Sequence, residues 1–521
     1  MVNRLDWRMF VTVFGSALVG IEAHCIHIEV NWLLTGKSST MVGLPDSAVR
    51  ESLERIESTF KTNGFRFPRT KLVINLAPAD IRKSGTAFDL PIAIGILAAS
   101  GQLNQTELLK KYVLMGELAL DGSIRSIKGA VPIVLQAQQD GFEGIILPKD
   151  NLSELLTATP FTIWGALHIQ DVVNFFSNKK QHLHGFKATT ASPETGIEQE
   201  NPLEEIYGQA FAKRALEIAA AGGHHLLLMG PPGAGKTMLA KKLPALLPAL
   251  SPEEAIETYK IFSAIGLPLG FDPNKLNRPF RNPHHSLSDA GLIGGGRTLQ
   301  PGEITLAHHG VLFLDELPEF RRNVLEALRQ PLEEYRIVLS RGGQTRVYPA
   351  NFQLIAAMNP CPCGYFTHPT KNCSCPPGVI YRYRNKISGP LLDRIDLHVE
   401  VNPVDKSDLL RAPKTTKVDL NTTIYGIKNA RALQQERWKK FDRINCNGQA
   451  TPKAVQEKCK VDEAGKKLIE LALIKLNLSI RAYDKILKIA QTIADLEQAE
   501  RIQSTHLAEA ISYRNLDRQQ L

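Results

Sequence analysis

The sequence predicts a multidomain α/β protein with an α+β N-terminal domain, a P-loop α/β core and a helical C-terminal domain. Short apolar runs alternate with helical patterns over residues 10–180, and the alternation returns from residue 202 to about 405. The second stretch contains a glycine-rich phosphate-binding motif at residues 230–237. The last hundred residues or so lack strand patterns and contain long helical ones. A chain of 521 residues is long enough for two to four domains.

The composition excludes several broad classes of protein. With 43% hydrophobic and 22% charged residues, the chain is not collagen-like, wholly disordered or membrane-embedded. No run of about 18 apolar residues predicts a transmembrane helix, so we expect no membrane partner. Residues 1–8 lack the pattern of a signal peptide, so we expect a cytoplasmic protein, with Met9 as an alternative start. The net charge of +9 is only a weak indication of a polyanionic partner.

Two polar stretches have the composition of linkers, because they lose apolar residues and gain charged and hydroxyl side chains. They divide the chain into five expected segments, with no internal repeat. These are an N-terminal domain (1–180), a linker (181–201), an ATPase core (202–405), a second linker (406–422) and a helical lid (423–521).

In the N-terminal domain, hydrophobic periodicity predicts a mixture of strands and helices. The expected elements are strands over residues 11–34, a helix that carries Val49, Leu53, Ile56 and Phe60 on one face, a buried strand over 71–77, an apolar helix over 89–99 and a hairpin over 116–129 that turns at Asp121-Gly122.

Residues 230–237 fit the pattern G-x-x-x-x-G-K-[ST] without departure, between an apolar strand pattern and a helical one. Glycines allow consecutive backbone N–H groups to face phosphates, and the helix N-terminus adds its positive dipole end. We expect Lys236 to reach the β- and γ-phosphates and Thr237 to ligate Mg²⁺. The expected nucleotide-binding residues are Gly230, Pro231, Pro232, Gly233, Ala234, Gly235, Lys236, Thr237 and Asp315. ATP and Mg²⁺ are therefore the expected cofactors.

A second apolar run, residues 310–314, ends in two adjacent carboxylates. This is the Walker-B pattern, in which Asp315 holds the Mg²⁺ shell together with Thr237. Glu316 is then expected to polarise the attacking water, because phosphoryl transfer depends mainly on positioning and charge neutralisation.

Three further residues resemble functional positions of AAA+ ATPases. Asn359 ends an apolar strand pattern and resembles the sensor-1 residue, and Arg394 lies in a segment, 391–396, that resembles the arginine-finger segment. Arg481, near the start of a C-terminal helix, resembles the sensor-2 arginine. The resemblance implies a catalytic role for each residue, and it implies a site shared between the subunits of a ring.

The core also resembles AAA+ modules of the magnesium-chelatase type. The resemblance rests on residues 278–297 and 301–308, which correspond to an insertion before the Walker-B strand. Residues 334–348 predict a β-hairpin with Gly342-Gly343 at its tip, and in this clade such a hairpin points into the pore of the ring. Arg341 and Arg346 stand beside these glycines, and arginines suit contacts to phosphates. Together with Arg297 of the preceding segment, they are the DNA-binding candidates. The alternative is a structural hairpin with solvated arginines.

Four of the seven cysteines lie in one segment, as two Cys-x-Cys pairs separated by nine residues. Cys361, Cys363, Cys373 and Cys375 can supply four thiolates to a structural Zn²⁺. His368 lies between the pairs as an alternative ligand, and reduced free thiols are the alternative to a metal. Cys25, Cys446 and Cys459 are isolated.

From about residue 10 to its end, the chain resembles the ComM/YifB family of bacterial magnesium-chelatase-like ATPases. The resemblance includes residues 41–45, 75–80 and 89–95, the core motifs and the Cys-Pro-Cys segment. It implies an ATP-driven homohexameric motor that acts on single-stranded or branched DNA. The implied role is branch migration, which integrates DNA during homologous recombination and natural transformation.

The N-terminal domain carries a second resemblance, to the Lon-protease fold. The position that corresponds to the nucleophilic serine is Ala87, and Val131 stands where the catalytic lysine is expected. Covalent catalysis needs a nucleophile and a base in contact, so the resemblance implies a pseudoprotease domain. Ser84 and Lys128 lie near these positions in the sequence. A catalytic serine–lysine dyad at shifted positions is therefore the alternative. The alternative functions are therefore a chelatase-type motor that remodels a protein partner and an ATP-dependent Lon-like protease.

Overall fold

The computed structural model describes residues 10–33, 35–36, 38–103, 105–155, 161–177, 183–186, 203, 206, 208–267, 278–296, 298–366, 368–403, 420–476 and 479–514. Contacts between residues divide the chain into two units. One unit contains the described residues of 1–193 and of 255–275, and the other contains those of 194–254 and 276–521.

The first unit is built on a mixed sheet of eight strands. Its strands and helices are β1 (Phe10–Val19), β2 (Glu22–Trp32), β3 (Thr40–Val42), β4 (Leu72–Ala77), β5 (Tyr112–Leu114), β6 (Glu117–Leu118), β7 (Ile124–Arg125), β8 (Gly144–Pro148), β9 (Thr162–Ala166), β10 (His184–Gly185), α1 (Ser47–Arg50), α2 (Ser52–Thr62), α3 (Asp89–Ala99), α4 (Ala130–Gln139) and α5 (Ile169–Phe175). The sheet order is β10-β9-β8-β5-β1-β2-β4-β3, and β6 and β7 form a separate hairpin.

The apolar helix α3 forms the centre of this unit. Every residue of α3 is buried, and the helix packs on the long antiparallel pair β1–β2. A Cβ atom on Gly95 would lie 2.7 Å from Val30 Cγ2, so glycine allows the helix to approach the sheet closely. The predicted strands, the apolar helix and the hairpin are confirmed. The single helix expected to carry Val49, Leu53, Ile56 and Phe60 is instead divided at Glu51 into α1, which buries Val49, and α2, on which Leu53 is half-buried and Ile56 and Phe60 are buried.

The first unit differs from the expected domain boundaries in two places. The segment 181–201, expected as a linker, contains β10, which pairs with β9. Residues of 255–275 group with this unit, although the sequence placed them in the ATPase core. Ser263 explains part of this grouping, because its backbone O accepts from Gly129 N at 2.8 Å and its Oγ from Val131 N at 3.2 Å. Composition along the chain contains no signal for such a long-range contact.

The second unit is built on a parallel sheet of five strands in the order β12-β15-β18-β11-β19. Its strands are β11 (Leu226–Met229), β12 (Phe280–Arg281), β13 (Gly294–Gly295), β14 (Gln300–Pro301), β15 (Val311–Leu314), β16 (Arg336–Arg341), β17 (Gln344–Pro349), β18 (Gln353–Met358) and β19 (Leu397–Glu400). The pairs β13–β14 and β16–β17 are antiparallel and lie outside the main sheet.

Helices of the second unit occur around the sheet and dominate the C-terminal part. They are α6 (Ala210–Gly222), α7 (Lys236–Leu246), α8 (Pro252–Ile265, of which residues from 255 group with the first unit), α9 (Asp289–Ile293), α10 (Glu303–Leu306), α11 (Arg322–Ala327), α12 (Arg329–Glu334), α13 (Pro377–Arg384), α14 (Gly389–Leu392), α15 (Leu420–Trp438), α16 (Pro452–Lys458), α17 (Glu463–Leu476), α18 (Ile480–Leu496) and α19 (Ser504–Ser512). Helix α15 thus begins inside the stretch 406–422 expected as a linker.

The helical C-terminal part and the sheet share one hydrophobic core. Helices α15 and α18 pack on α6, and buried side chains such as Ile489 and Tyr513 belong to the same cluster as Leu226 of β11. The structure therefore confirms a mixed α/β protein with a parallel-sheet core and a helical C-terminus. Across the described residues, none of the helices has both the length and the apolar character required to traverse a bilayer.

Candidate functional site

The phosphate-binding motif forms a loop between β11 and α7. Gly233 and Gly235 have φ angles of 79° and 87°, in the left-handed region where glycine carries no Cβ penalty. Gly230 has no room for a side chain, because a Cβ atom there would lie 2.2 Å from the Val401 backbone O. The loop therefore leads directly into the N-terminus of α7, where the positive end of the helix dipole favours an anion.

Lys236 is the first residue of α7 and is 8% exposed. Its Nζ donates to the backbone O atoms of Gly230 at 2.7 Å and Pro231 at 3.0 Å, and to Asn359 Oδ1 at 3.1 Å. Burial lowers the pKa of Lys236 from its ordinary value, and the negative charge of Asp315 opposes this shift. The structure thus brings Asn359, at the end of β18, to the lysine of the phosphate-binding loop.

The oxygen ligands expected for Mg²⁺ lie next to each other. Thr237 Oγ1 donates to Asp315 Oδ2 at 2.8 Å, and Asp315 follows directly after β15. A hydroxyl and a carboxylate at this separation fit a hard cation that prefers oxygen ligands. Glu316 has a φ angle of 52°, and its Oε2 lies 3.2 Å from His285 Nδ1. Its side chain is 54% exposed, so it remains accessible to solvent beside the site.

Arg394 lies beyond α14 and pairs with residues of its own chain. Its guanidinium pairs with Glu333 of α12 and donates to the Pro390 backbone O at 2.6 Å. Its Nε is buried and has no hydrogen-bond partner among the described residues. Among the described residues, the partners of Arg394 do not include any residue of the loop at 230–237.

Arg481 lies in the first turn of α18, after the N-cap residue Ser479, whose Oγ accepts from Ala482 N at 3.2 Å. The Arg481 side chain is exposed, and within the described chain no hydrogen bond or ion pair joins it to the phosphate-binding loop. The structure therefore does not bring it to Lys236, Asp315 or Glu316.

A buried ion pair connects the segment of Arg394 to the helix of Arg481. Asp396 accepts from Lys485 Nζ at 2.5 Å, and His224 Nδ1 lies 3.2 Å from the same carboxylate. Burial alone would raise the pKa of Asp396, but the Lys485 ammonium and the His224 ring hold that pKa well below its ordinary value. Sequence reasoning missed this pair, because only Asp396 lies in a recognised segment, 391–396, whereas Lys485 is 89 residues away and matches no motif.

We expect Asp396→Asn to lower the free energy of unfolding by about 3–5 kcal/mol, because Lys485, whose side chain is only 14% exposed, would lose its counter-charge. Because the folded-state pKa of Asp396 lies below the unfolded one, its contribution is present at neutral pH and is lost as the pH falls below about 4. Urea unfolding of both chains at pH 7 measures the difference. Asp393→Asn, at a half-buried position in the same segment, is the matched control and should change the unfolding free energy little. An Asp396→Asn chain as stable as the wild type would contradict the expectation.

The predicted hairpin is confirmed as β16–β17, with φ angles of 56° and 78° at Gly342 and Gly343. Because Arg341 pairs with Gln344 and Arg346 pairs with Leu339, strand alternation places both arginines on the same face of the hairpin. Arg341 is exposed and Arg346 half-buried. Arg297, the third DNA-binding candidate, lies outside the described residues.

The four clustered cysteines come together after β18. Their sulfur atoms lie within 4.8 Å of one another, with Cys361 buried and Cys363, Cys373 and Cys375 half-buried. His368 is not part of the cluster, since its Nδ1 accepts from the backbone N–H groups of Thr370 and Lys371, both at 3.1 Å.

The candidate protease dyad is not formed. Ser84 and Lys128 are both exposed, and within the described chain no hydrogen bond joins them. Ala87 and Val131, at the positions that correspond to the Lon nucleophile and base, cannot supply either group.

Sequence reasoning also assigned no role to His285 and Glu333. His285 lies in the chelatase-like segment and contacts Glu316, so the segment itself contained the signal. Glu333 lies in a short helix with no motif, and only its ion pair with Arg394 reveals it.

Three family models match the chain, and together they span most of it. They are magnesium chelatase, subunit ChlI (residues 202–409), subunit ChlI of Mg-chelatase (28–151) and the C-terminal part of magnesium chelatase subunit ChlI (423–514). The first of these models covers the loop at 230–237, both carboxylates and Arg394.

Similar proteins extend over nearly the whole chain. Competence protein ComM of Haemophilus influenzae is 43% identical over 509 residues, which are 97% of both chains. The protein YifB of Salmonella typhimurium is 42% identical over 97% of both chains. A weaker likeness, 22% identity over 59% of this chain and 41% of the other, connects it to DNA replication licensing factor mcm-5 of Caenorhabditis elegans. The chain therefore belongs to the ComM/YifB family of magnesium-chelatase-like AAA+ ATPases.

Proposed function

We propose that the chain is an ATP-hydrolysing DNA motor that assembles as a homohexamer and promotes branch migration during homologous recombination and natural transformation. The observation that carries the proposal is the arginine-bearing hairpin β16–β17, which belongs to the same unit as the phosphate-binding loop. A relative that aligns with 97% of the chain is named as a competence protein, which supports the role in transformation. The cytoplasmic location expected from the sequence is part of the same proposal.

In the proposed hydrolysis step, Lys236 neutralises charge on the β- and γ-phosphates while Glu316 orients the attacking water. Thr237 and Asp315 would hold Mg²⁺, which supplies further neutralisation of phosphate charge. Arg394, supplied by a neighbouring subunit, stabilises the charge that develops in the transition state. Asn359 contacts Lys236 and is the proposed sensor of the γ-phosphate, and Arg481 is the proposed second sensor.

In the proposed translocation step, the hairpin grips the DNA backbone. Arg341 and Arg346 share one face next to a glycine tip whose backbone N–H groups are exposed. Arginines and backbone amides bind phosphate oxygens without reading bases, as a motor that moves along any sequence requires. Motion of the hairpin with each turnover would advance the strand through the ring.

The N-terminal unit is proposed to have a Lon-like fold that has lost peptidase activity and serves assembly or DNA contact. The absence of a Ser84–Lys128 hydrogen bond in the described chain and the apolar residues at 87 and 131 support this assignment. The competing functions, a motor that remodels a protein partner and an ATP-dependent protease, differ in what stimulates ATP hydrolysis and in whether peptide bonds are cleaved.

Branch migration on three-strand and four-way junctions tests the proposal. We expect activity in the wild type and none in Glu316→Gln, which should bind ATP without hydrolysing it. For Arg341→Ala/Arg346→Ala, the dependence of log K on log salt for DNA binding should become shallower by about 1–2, since up to two phosphate contacts are lost. Arg336→Ala, at the base of the same hairpin and paired with Glu334, is the matched control and should leave the slope unchanged.

Two results would count against a DNA motor. One is ATP hydrolysis that responds to a protein partner and not to DNA, which favours the chelatase-type function. The other is cleavage of a casein-type substrate that persists in Glu316→Gln and disappears in Ser84→Ala, which favours a protease.

A further inference from the structure

The loop that contains the four cysteines has the geometry of a metal site. The Sγ atoms of Cys361, Cys363 and Cys373 lie 3.3, 3.7 and 3.6 Å apart in the three pairs, and Cys375 completes the cluster. A disulfide requires a separation of about 2.05 Å, and all seven cysteines are free. Four thiolates at about 2.3 Å from a tetrahedral Zn²⁺ have sulfur–sulfur separations of about 3.8 Å, close to those observed.

Backbone geometry supports the same conclusion. The N–H groups of Phe366 and Cys375 donate to the sulfur atoms of Cys361 and Cys373, both at 3.4 Å. Donors of this kind stabilise the negative charge of metal-bound thiolates and orient the ligands. The turn after the first pair closes through Gly364, whose N donates to the Cys361 backbone O at 2.9 Å with a φ angle of 83°.

The loop also contacts the proposed ATP site. Cys361 lies two residues after Asn359, which accepts from Lys236. A Cβ atom on Gly364 would lie 2.5 Å from Pro232 Cδ, so the loop packs directly against the phosphate-binding loop. Pro360, between Asn359 and Cys361, is held by Arg384, whose Nε donates to the Pro360 backbone O at 3.1 Å.

We propose that the four cysteines bind one structural Zn²⁺ and that this ion fixes the loop on which the phosphate-binding loop and Asn359 rest. Residues 361–375 have few buried apolar side chains, since Cys361 alone among them belongs to the hydrophobic core of the described chain. A metal then replaces the missing core, as it does in small zinc-stabilised segments. The effect on nucleotide binding rests on the proposed function, whereas zinc binding does not.

Metal analysis tests the first half of the proposal. We expect the full-length wild type, expressed with added zinc and dialysed, to contain about one Zn²⁺ per chain. Cys361→Ser/Cys373→Ser should contain little zinc, while Cys25→Ser, at an isolated cysteine, should retain it. Replacement of zinc by Co²⁺ in the wild type should give the visible bands and thiolate charge-transfer absorption of a tetrahedral tetrathiolate site. Less than about half an equivalent in the wild type, zinc retained in the double variant, or the weak spectrum of octahedral Co²⁺ would overturn the assignment.

Two measurements test the support of the ATP site and separate its failure from a failure of zinc binding. Release of zinc from the wild type by an organomercurial should weaken the binding of a fluorescent ATP analogue by about tenfold or more. Gly364→Ala should retain zinc but weaken nucleotide binding similarly, because its Cβ would displace Pro232. Gly378→Ala, where a Cβ meets nothing within 4 Å, is the control and should bind nucleotide as the wild type does. Unchanged nucleotide affinity after zinc release and in Gly364→Ala would leave a zinc site that has no influence on the ATP site, and it would overturn this half of the proposal.

Discussion

Replacement of Lys236 by alanine is expected to lower the rate of ATP hydrolysis by on the order of 10³-fold, by comparison with the removal of other charge-stabilising donors from enclosed sites. Lys236 is the only buried lysine in the described part of α7, and its Nζ lies among acceptors from the loop at 230–231 and from Asn359. In this position its ammonium can donate to phosphate oxygens in place of those acceptors. Burial strengthens its charge interaction with phosphate relative to the same pair in water.

A control variant and two kinds of measurement distinguish loss of the Lys236 charge from loss of the fold. Lys241→Ala removes an exposed lysine from the same helix and should leave turnover unchanged. Nucleotide binding by equilibrium dialysis and hydrolysis by phosphate release should both fall in Lys236→Ala, while circular dichroism stays that of the wild type. Turnover within a factor of a few of the wild type would remove Lys236 from the site.

The sequence predicts those parts of the site in which residues adjacent in the chain together bind the nucleotide or its metal. The loop at 230–237 and the pair Asp315-Glu316 follow directly from strands, so local pattern determines both the structure and the position of the polar groups. Asn359 is of the same kind, at the end of β18 beside β11. Parallel strands bring these ends to one edge of the sheet, which is why three motifs far apart in sequence meet.

Other parts depend on tertiary contacts that have no local signature. The ion pairs Asp396–Lys485 and Arg394–Glu333 each join elements whose relative position is fixed by the packing of the whole unit. The grouping of residues 255–275 with the N-terminal unit is similar, since Ser263 contacts Gly129 through backbone atoms that any residue possesses. The sequence shows that such residues are charged or polar, but only the fold shows which residues they contact.

Arg394→Ala is expected to lower ATP hydrolysis by on the order of 10³-fold or more, the range found for arginine fingers. In one subunit Arg394 is paired with Glu333, and its Nε remains buried without a partner among the described residues. An unpaired buried donor costs about 1–3 kcal/mol, so a phosphate oxygen from a neighbouring subunit would relieve that cost. Nucleotide binding should be nearly unchanged, because in the proposed shared site the loop at 230–237 belongs to the other subunit. Arg382→Ala, at an exposed arginine of the preceding helix α13, is the control.

Mixing two inactive variants distinguishes an arginine that acts in the neighbouring subunit from one that acts in its own. An Arg394→Ala subunit retains the loop at 230–237 and Glu316, whereas a Glu316→Gln subunit retains Arg394. If the site is shared, a ring that contains both variants has interfaces where an intact loop and Glu316 meet an intact Arg394, so the mixture should hydrolyse ATP although neither variant does so alone. If Arg394 acts within its own chain, no subunit in the mixture holds a complete site and the mixture stays inactive. Recovery of a substantial fraction of wild-type turnover, maximal near equal amounts of the two chains, is therefore the expected result. A mixture that is no more active than its components, at concentrations where light scattering shows exchange into common assemblies, would show that the site is not shared through Arg394.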